Sequence, residues 1–446
     1  MLKKGLKKEL TLFNAVLYGV GVILGAGIYV LIGQGAAIAG NALWISFLIA
    51  SFIAAFTGFS YAELAGMFPR NAAEYVYTKN AFGSRILAFV VQWVMLITLI
   101  ISAATVALGF GGYFNYMFSA EPAAAAALLV VGLSLINYVG IKESTKYNTI
   151  STTIEVSGLL VVAILGLFFI SRTKADFFYS PSGFEGIISA ASLIFFAYIG
   201  FEEVVNLSED TKKANKIIPK ALIISLAIST LFYMAVSLSS LSVLGAERLG
   251  ASKAPLTEVI SSVFPKAGII MSMIALFATS NTVLVIMLVA SRMLYGLSHN
   301  NLLPKFLGVV NKKGTPHLAI VTVMALVIAS ISIGNIKTVA LLTDVGIFFV
   351  YIFINSSVIF LRYKKPFLKR SFKSPFSIGK LPLLAFFGLF SSAFMLSHFS
   401  KDLLLAEAAI VTVGFVVGII FAKRDVTNKI RLFSKSRWRV MKKIGA

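Results

Sequence analysis

From residue 10 to residue 62 the chain carries no charged side chain. A helix in water has to show a polar face, so an uncharged apolar stretch of this length has one natural solvent, the hydrocarbon of a bilayer. One span needs about 20 apolar residues, so the stretch holds two, with Gly40-Asn41 as the turn between them. Further spans are predicted at 86–118, 123–141, 147–171, 186–207, 221–244, 267–291, 317–335, 338–361, 383–399 and 403–422, giving twelve in all. Composition agrees: 58% of residues are hydrophobic and 13% charged, with mean hydropathy +0.90, against ~45–50% and ~25% in soluble domains. The sequence holds no cysteine, and its three histidines, His299, His317 and His398, are scattered. A disulfide framework, a thiolate metal site and zinc chemistry are therefore not expected.

A formal net charge of +22 invites a nucleic-acid reading, but the positions of the basic residues favour a different one. With the first residues placed inside, all of the 40 Lys and Arg but seven fall on the cytoplasmic side. The exceptions are Arg172, Lys174, Arg248, Lys253, Lys266, Lys337 and Lys401. Such a bias sets orientation and attracts anionic headgroups to the basic loops. Both termini are expected to be cytoplasmic, the membrane to be the plasma membrane, and nucleic acid not to be a partner. The apolar run after Lys8 is longer than a signal-peptide core and is expected to remain as the first span. The longest hydrophilic stretches are the segment 362–382 and the tail 423–446, so the function is expected to lie within the bilayer.

Two spans are flawed as helices. The first contains Gly25-Ala26-Gly27 near mid-span, where glycine costs about 1 kcal/mol per residue relative to alanine. An unwound segment there presents bare N–H groups at the start of a half-helix, which attract a carboxylate. The sixth reads Phe195-Phe196-Ala197-Tyr198-Ile199-Gly200-Phe201-Glu202-Glu203, a glycine followed by two acids inside an apolar run. Acidic groups at that depth must face water or protein. Paired breaks in matching helices point to a transporter built from inverted repeats, with its site at the midplane. The expected architecture is an all-α polytopic membrane protein with a 5+5 inverted repeat. It comprises a cytoplasmic segment 1–9, a first repeat over 10–171, a second over 186–361, the basic loop 362–382, two accessory helices over 383–422 and the basic tail 423–446.

Gly21-Val22-Ile23-Leu24-Gly25-Ala26-Gly27-Ile28-Tyr29 and the segment Phe195 to Glu203 resemble the first- and sixth-helix signatures of the amino acid, polyamine and organocation (APC) superfamily. The likeness is closest to its cationic amino acid transporter-like permeases. Ser291-Arg292-Met293-Leu294-Tyr295-Gly296-Leu297 with Leu303-Pro304, and Tyr61-Ala62-Glu63-Leu64 through Pro69 to Glu74-Tyr75-Val76-Tyr77, are similar to further segments of that family. Asn71-Ala72-Ala73 replaces a usual glycine pair. The resemblance implies a LeuT-like scaffold in which Gly25, Ala26 and Gly27 receive a substrate carboxylate, and the carbonyls of Phe196, Ala197 and Ile199 receive its ammonium. A half-helix N-terminus suits an anion and a C-terminus a cation, so the division is physically consistent. Phe196 or Phe201 is a candidate cover over the substrate.

Glu155 is the only charge between Lys146 and Arg172, and a carboxylate inside a span is a functional candidate. It is open to three roles: proton carrier, Na⁺ ligand together with hydroxyls of Thr279, Ser280 or Thr282, or member of a fixed salt bridge. Glu202 is a second candidate for proton sensing or for selecting cationic substrates. The expected function is secondary active transport of amino acids by alternating access, as a proton symporter, with exchange of amino acids or polyamines and Na⁺ symport as alternatives. An ion gradient, rather than a cofactor, would drive it. Neither a channel lining nor clustered catalytic groups are visible.

Overall fold

The computed structural model describes residues 10–70, 73–170, 173, 175–208, 211–299, 301–311 and 314–421. The expected cytoplasmic segment 1–9, the tail 423–446, Asn71, Ala72, Arg172 and Lys174 lie outside these residues. The first predicted span is two helices, α1 (Leu12–Ile23) and α2 (Ala26–Ala39). They are followed by α3 (Leu43–Met67), a short α4 (Ala73–Phe82), α5 (Arg85–Phe118), α6 (Pro122–Val139) and α7 (Ile141–Phe169). The predicted sixth span begins as α8 (Gly183–Ile194) and continues in two 3₁₀ segments, Phe195–Tyr198 and Phe201–Leu207. Then come α9 (Ala214–Ala251), a short α10 (Pro255–Val263), α11 (Ala267–His299), α12 (His317–Ile331), α13 (Ile336–Lys364), α14 (Leu383–Ser397) and α15 (Lys401–Phe421).

Helices begin where a side chain can satisfy the first N–H groups, which lack intrahelical acceptors. Ser84 accepts from the Leu87 N–H ahead of α5, and Asn335 accepts from Lys337 and Thr338 ahead of α13. The Glu121 carboxylate accepts from Ala123 and Ala124, and Pro122 occupies the first turn of α6, where its missing N–H costs nothing. Several helices outrun the predicted spans. α9 starts at Ala214 and α11 runs to His299, because charged residues past the hydrocarbon boundary still favour a helix. α9 bends at Gly245, whose φ of 72° lies in the left-handed region.

Among the described residues, eight stretches are apolar and long enough to cross a membrane: Leu12–Met67, Arg85–Phe118, Pro122–Val139, Gly183–Val205, Ala214–Ala251, Ala267–His299, Ile336–Lys364 and Lys401–Phe421. Shorter apolar helices cover Ile150–Gly166, His317–Ile331 and Leu383–Ser397. α5 is buried along most of its length, packed by α6, α11, α12 and α13, while α3 lies along α9. The periphery is apolar instead of polar: Leu405, Val413, Phe415 and Val416 on α15, Leu128 on α6 and Leu231 on α9 are exposed. An exposed apolar perimeter on this scale is what lipid tails cover.

At the end of the molecule where α13 finishes, the connection to α14 folds back on α3. The buried Glu63 carboxylate of α3 accepts from Arg362 Nε at 2.9 Å and Nη2 at 2.5 Å, Arg370 Nε at 3.3 Å and the Ser374 N–H at 2.9 Å. Phe372 stacks on Phe59, and an antiparallel hairpin of Ser377–Ile378 with Leu381–Pro382 leads into α14. α4 wedges beside this connection, with Lys365 Nζ donating to the Asn80 carbonyl at 3.0 Å.

Candidate functional site

Both flawed spans are interrupted, and the interruptions touch. α1 ends at Ile23 with Leu24 as its cap, Gly25 leaves the helical path at ψ −154°, and α2 starts again at Ala26. In the sixth span Ile199 is extended and Gly200 has φ 118°, a conformation that side chains rarely adopt. A Cβ added at Gly27 would lie 2.5 Å from Ala197 Cα, so only glycine lets the start of α2 approach the other break this closely.

A cavity opens at this contact, with about 630 Å³ of unfilled space including its mouth. Gly25, Ala26 and Gly27 line it from the first break, and Phe196, Ala197, Ile199 and Gly200 from the second. The start of α2 brings N–H groups to one side, with the positive end of the helix behind them. The Ala26 N–H donates to the Thr282 hydroxyl at 3.0 Å, an oxygen standing where a carboxylate oxygen could bind. On the other side, the Phe196 carbonyl accepts from the Ile199 N–H at 3.2 Å, and the Ala197 carbonyl accepts from the Tyr233 hydroxyl at 2.5 Å. The same hydroxyl lies against the Ile23 carbonyl, so Tyr233 of α9 ties the two breaks together. A carbonyl oxygen has two lone pairs, so these acceptors retain capacity for an ammonium.

The other candidates divide. Phe201 does not line the cavity; it is buried behind the break, edge-on to Tyr61 at 5.8 Å and against Tyr351 at 5.6 Å. The turn at Gly200 carries its side chain away, leaving Phe196 as the aromatic of the cavity wall. Glu202 points the same way, and its Oε2 accepts from the Gly200 N–H at 3.1 Å and the Tyr351 hydroxyl at 3.3 Å. The adjacent acid, Glu203, lines the cavity instead.

Glu155 is fully buried on α7, and neither carboxylate oxygen makes a hydrogen bond. Its backbone carbonyl accepts from the Tyr29 hydroxyl at 2.7 Å, linking it to α2. Among the described residues no cation is recorded against Glu155, whereas Glu63 is paired with Arg362 and Arg370. Asn281 stands beside Glu155 and donates to the Thr152 hydroxyl at 3.3 Å. Ser280 pairs with the Tyr147 hydroxyl at 2.6 Å, and Thr279 donates back to the Ala275 carbonyl at 2.7 Å. Thr282 therefore lies at the cavity, whereas Ser280 belongs to the α7–α11 contact and Thr279 bonds within its own helix.

Sequence reasoning missed Tyr233, Asn148 and Asn281. Asn281 sits in the polar cluster Thr279 to Thr282 within an otherwise apolar span, and Asn148 in a polar stretch where an amide does not stand out, while nothing in the sequence distinguishes Tyr233 from other tyrosines.

Comparison with known proteins fits this geometry. The chain is 29% identical to the branched-chain amino acid permease BcaP of Bacillus subtilis (strain 168) over 95% of its length and 94% of that protein. It is 30% identical to a methylthioribose transporter of the same organism over 86% and 87%. It is 28% identical to the mitochondrial cationic amino acid transporter 3 of Arabidopsis thaliana over 81% of this chain and 63% of that one. The amino acid permease model matches residues 10–423, so the chain belongs to the amino acid permease family of the APC superfamily: it is an integral membrane transporter and not an enzyme.

Proposed function

We propose that the chain carries amino acids across the plasma membrane by alternating access, as a proton symporter. The observation that carries this reading is the junction of the two interrupted helices at one cavity, Gly27 against Ala197, with N–H groups on one side and carbonyls on the other. Such a junction suits a zwitterion without a charged side chain. Gly25, Ala26 and Gly27 hold the carboxylate, displacing the Thr282 hydroxyl from Ala26, and Phe196, Ala197 and Ile199 hold the ammonium. The names of the similar permeases support amino acids as the cargo.

The scaffold of this proposal has twelve spans, with residues 10–171 and 186–361 as inverted repeats and 383–422 as accessory helices. Two spans within Leu12–Met67, the other long stretches and the three shorter apolar helices support that number. The basic residues of the segment 362–382 support a cytoplasmic position for that loop, and with it for both termini.

Glu155 takes the coupling role. Its oxygens are buried with only the neighbouring Asn281 amide beside them, so an ionised form recovers little of its lost hydration. Proton uptake in one orientation of the carrier and release in the other would couple the gradient to the cargo. Glu155→Gln imitates the protonated form. In proteoliposomes it should abolish accumulation driven by an inward proton gradient while leaving substrate binding intact. Accumulation that persists in the variant moves the proton role to Glu202. Uptake by the unmodified protein that follows Na⁺ at clamped pH favours a second reading, supported by the Ser280 and Thr282 hydroxyls on α11, in which Glu155 helps to bind the cation. Uptake that requires amino acid or polyamine on the opposite face, without either gradient, identifies an exchanger.

A further inference from the structure

We propose that the connection from α13 to α14 is a docking surface for anionic phospholipid headgroups, with three of its apolar side chains set among the acyl chains. The inference rests on the reading of α14 as a span, which puts this connection at the membrane edge. α14 has 15 residues and is about 22 Å long at the usual helical rise, shorter than a hydrocarbon layer of about 30 Å. Ser400, Lys401 and Asp402 draw its far end to the opposite surface. Its first residue, Leu383, then lies at or inside the near edge, and the hairpin just before it lies among headgroups.

Residues 362–382 hold seven basic side chains and no acidic one. Arg362 and Arg370 are committed to the buried Glu63, Lys365 to the Asn80 carbonyl, and Lys364 lies over the Phe360 ring at 4.6 Å. Lys369, Lys373 and Lys380 are exposed and, among the described residues, have no partner. The same connection exposes apolar groups: Phe367 is 99% exposed, Phe376 71% and Ile378 69%, on either side of the stack of Phe372 on Phe59. Phe376 has φ 56°, a left-handed conformation that a bulky side chain rarely adopts, and its carbonyl accepts from the Leu383 N–H at 3.0 Å. The turn thus holds an aromatic ring outward at a conformational cost. Apolar groups beside free lysines suit a bilayer interface, where acyl chains cover the hydrocarbon and phosphates meet the ammonium groups. An acidic protein would also match the lysines, but the exposed Phe386, Phe387 and Phe390 of α14 make this surface continuous with the lipid-facing perimeter. The Glu63 junction fixes the segment to α3, so lipid bound here bears on the helix bundle.

Since the sequence has no cysteine, Ile378→Cys and Phe390→Cys each give the full chain one thiol for an environment-sensitive fluorophore. Each protein is reconstituted into vesicles of phosphatidylcholine, alone or with about a third phosphatidylglycerol, that carry nitroxide-labelled acyl chains. The Phe390 label should be quenched equally in both, as a span requires. The Ile378 label should be quenched at least about twofold more in the anionic vesicles, and the excess should vanish in 1 M salt, where charge reaches only ~3 Å. Replacing the free lysines together, Lys369→Gln, Lys373→Gln and Lys380→Gln, should return quenching to the neutral level. Equal quenching of the Ile378 label in the two vesicles, or an excess that survives the triple substitution, would overturn the proposal. An Ile378 label unquenched in both would place the hairpin in water and do the same. Shielding of that label by soluble polyglutamate but not by anionic lipid would make the partner an acidic protein instead. An unquenched Phe390 label would remove α14 from the bilayer, and with it the reading on which the inference rests.

Discussion

At the scale of the residue, the break depends on atoms that are missing. Gly27 lacks the Cβ that would meet Ala197, and forcing extra atoms into such a contact costs about 1–3 kcal/mol. Gly27→Ala should weaken substrate binding about tenfold and Gly27→Val should abolish it, both read as loss of ligand-induced thermal stabilisation in protein that still elutes as a folded monodisperse species. Tyr233 is the complementary case, where an atom present does the joining. Tyr233→Phe removes the one hydroxyl proton that the buried Ile23 and Ala197 carbonyls share, and its unfolding free energy should fall by about 1–3 kcal/mol. Gly27 was legible in the sequence because glycine in an apolar helix is a cost that needs a reason. Tyr233 was not, because a tyrosine within a span is ordinary and its partners lie far away along the chain.

At the scale of the element, the short α4 and the connection from α13 to α14 were illegible for a common reason: neither is apolar enough or long enough to register as a span. Each is held by buried polar contacts between distant residues. On α4, Glu74 is buried with its Oε1 accepting from the Tyr61 hydroxyl at 3.1 Å, and burial raises its carboxyl above the ordinary 4.5. The folded protein then binds this proton more tightly than the unfolded chain does, so stability is fully present below the ordinary value and is lost as pH rises through the raised one. Glu74→Gln keeps a neutral group in place. Its melting temperature relative to the unmodified protein should climb as pH increases from 4.5, and a constant difference would show that Glu74 does not titrate in the fold. The Glu63 junction has the opposite character, a carboxylate matched by two guanidinium groups. Removing one side strands buried charge, so Glu63→Ala should cost about 3–5 kcal/mol, measurable as a lowered unfolding midpoint.

For the whole molecule, the charge-free runs made the membrane helices legible and the paired glycine anomalies located the cavity, whereas its side walls needed three dimensions. Leu99 and Val285 line it, yet look like any apolar residues until α5 and α11 are set face to face. At the far end of α2, about 20 Å from its start at the usual helical rise, lies a separate recess lined by Ala36, Gly40, Tyr179, Leu241 and Gly245. Alternating access predicts that the two spaces open in turn. Since the sequence has no cysteine, Val289→Cys and Ala36→Cys each give a protein with one thiol. Under substrate and gradient, labelling by a membrane-impermeant reagent should rise at one position as it falls at the other, from opposite faces. Parallel changes would contradict a rocking carrier. The first break carries a longer consequence. The N–H groups at the start of α2 belong to every residue except proline, so mutation can distort what they offer but can seldom delete it. Selection on diet or habitat then acts on the walls, and a descendant could change its cargo through a few substitutions on α5 and α11 while inheriting the grip on the main chain intact.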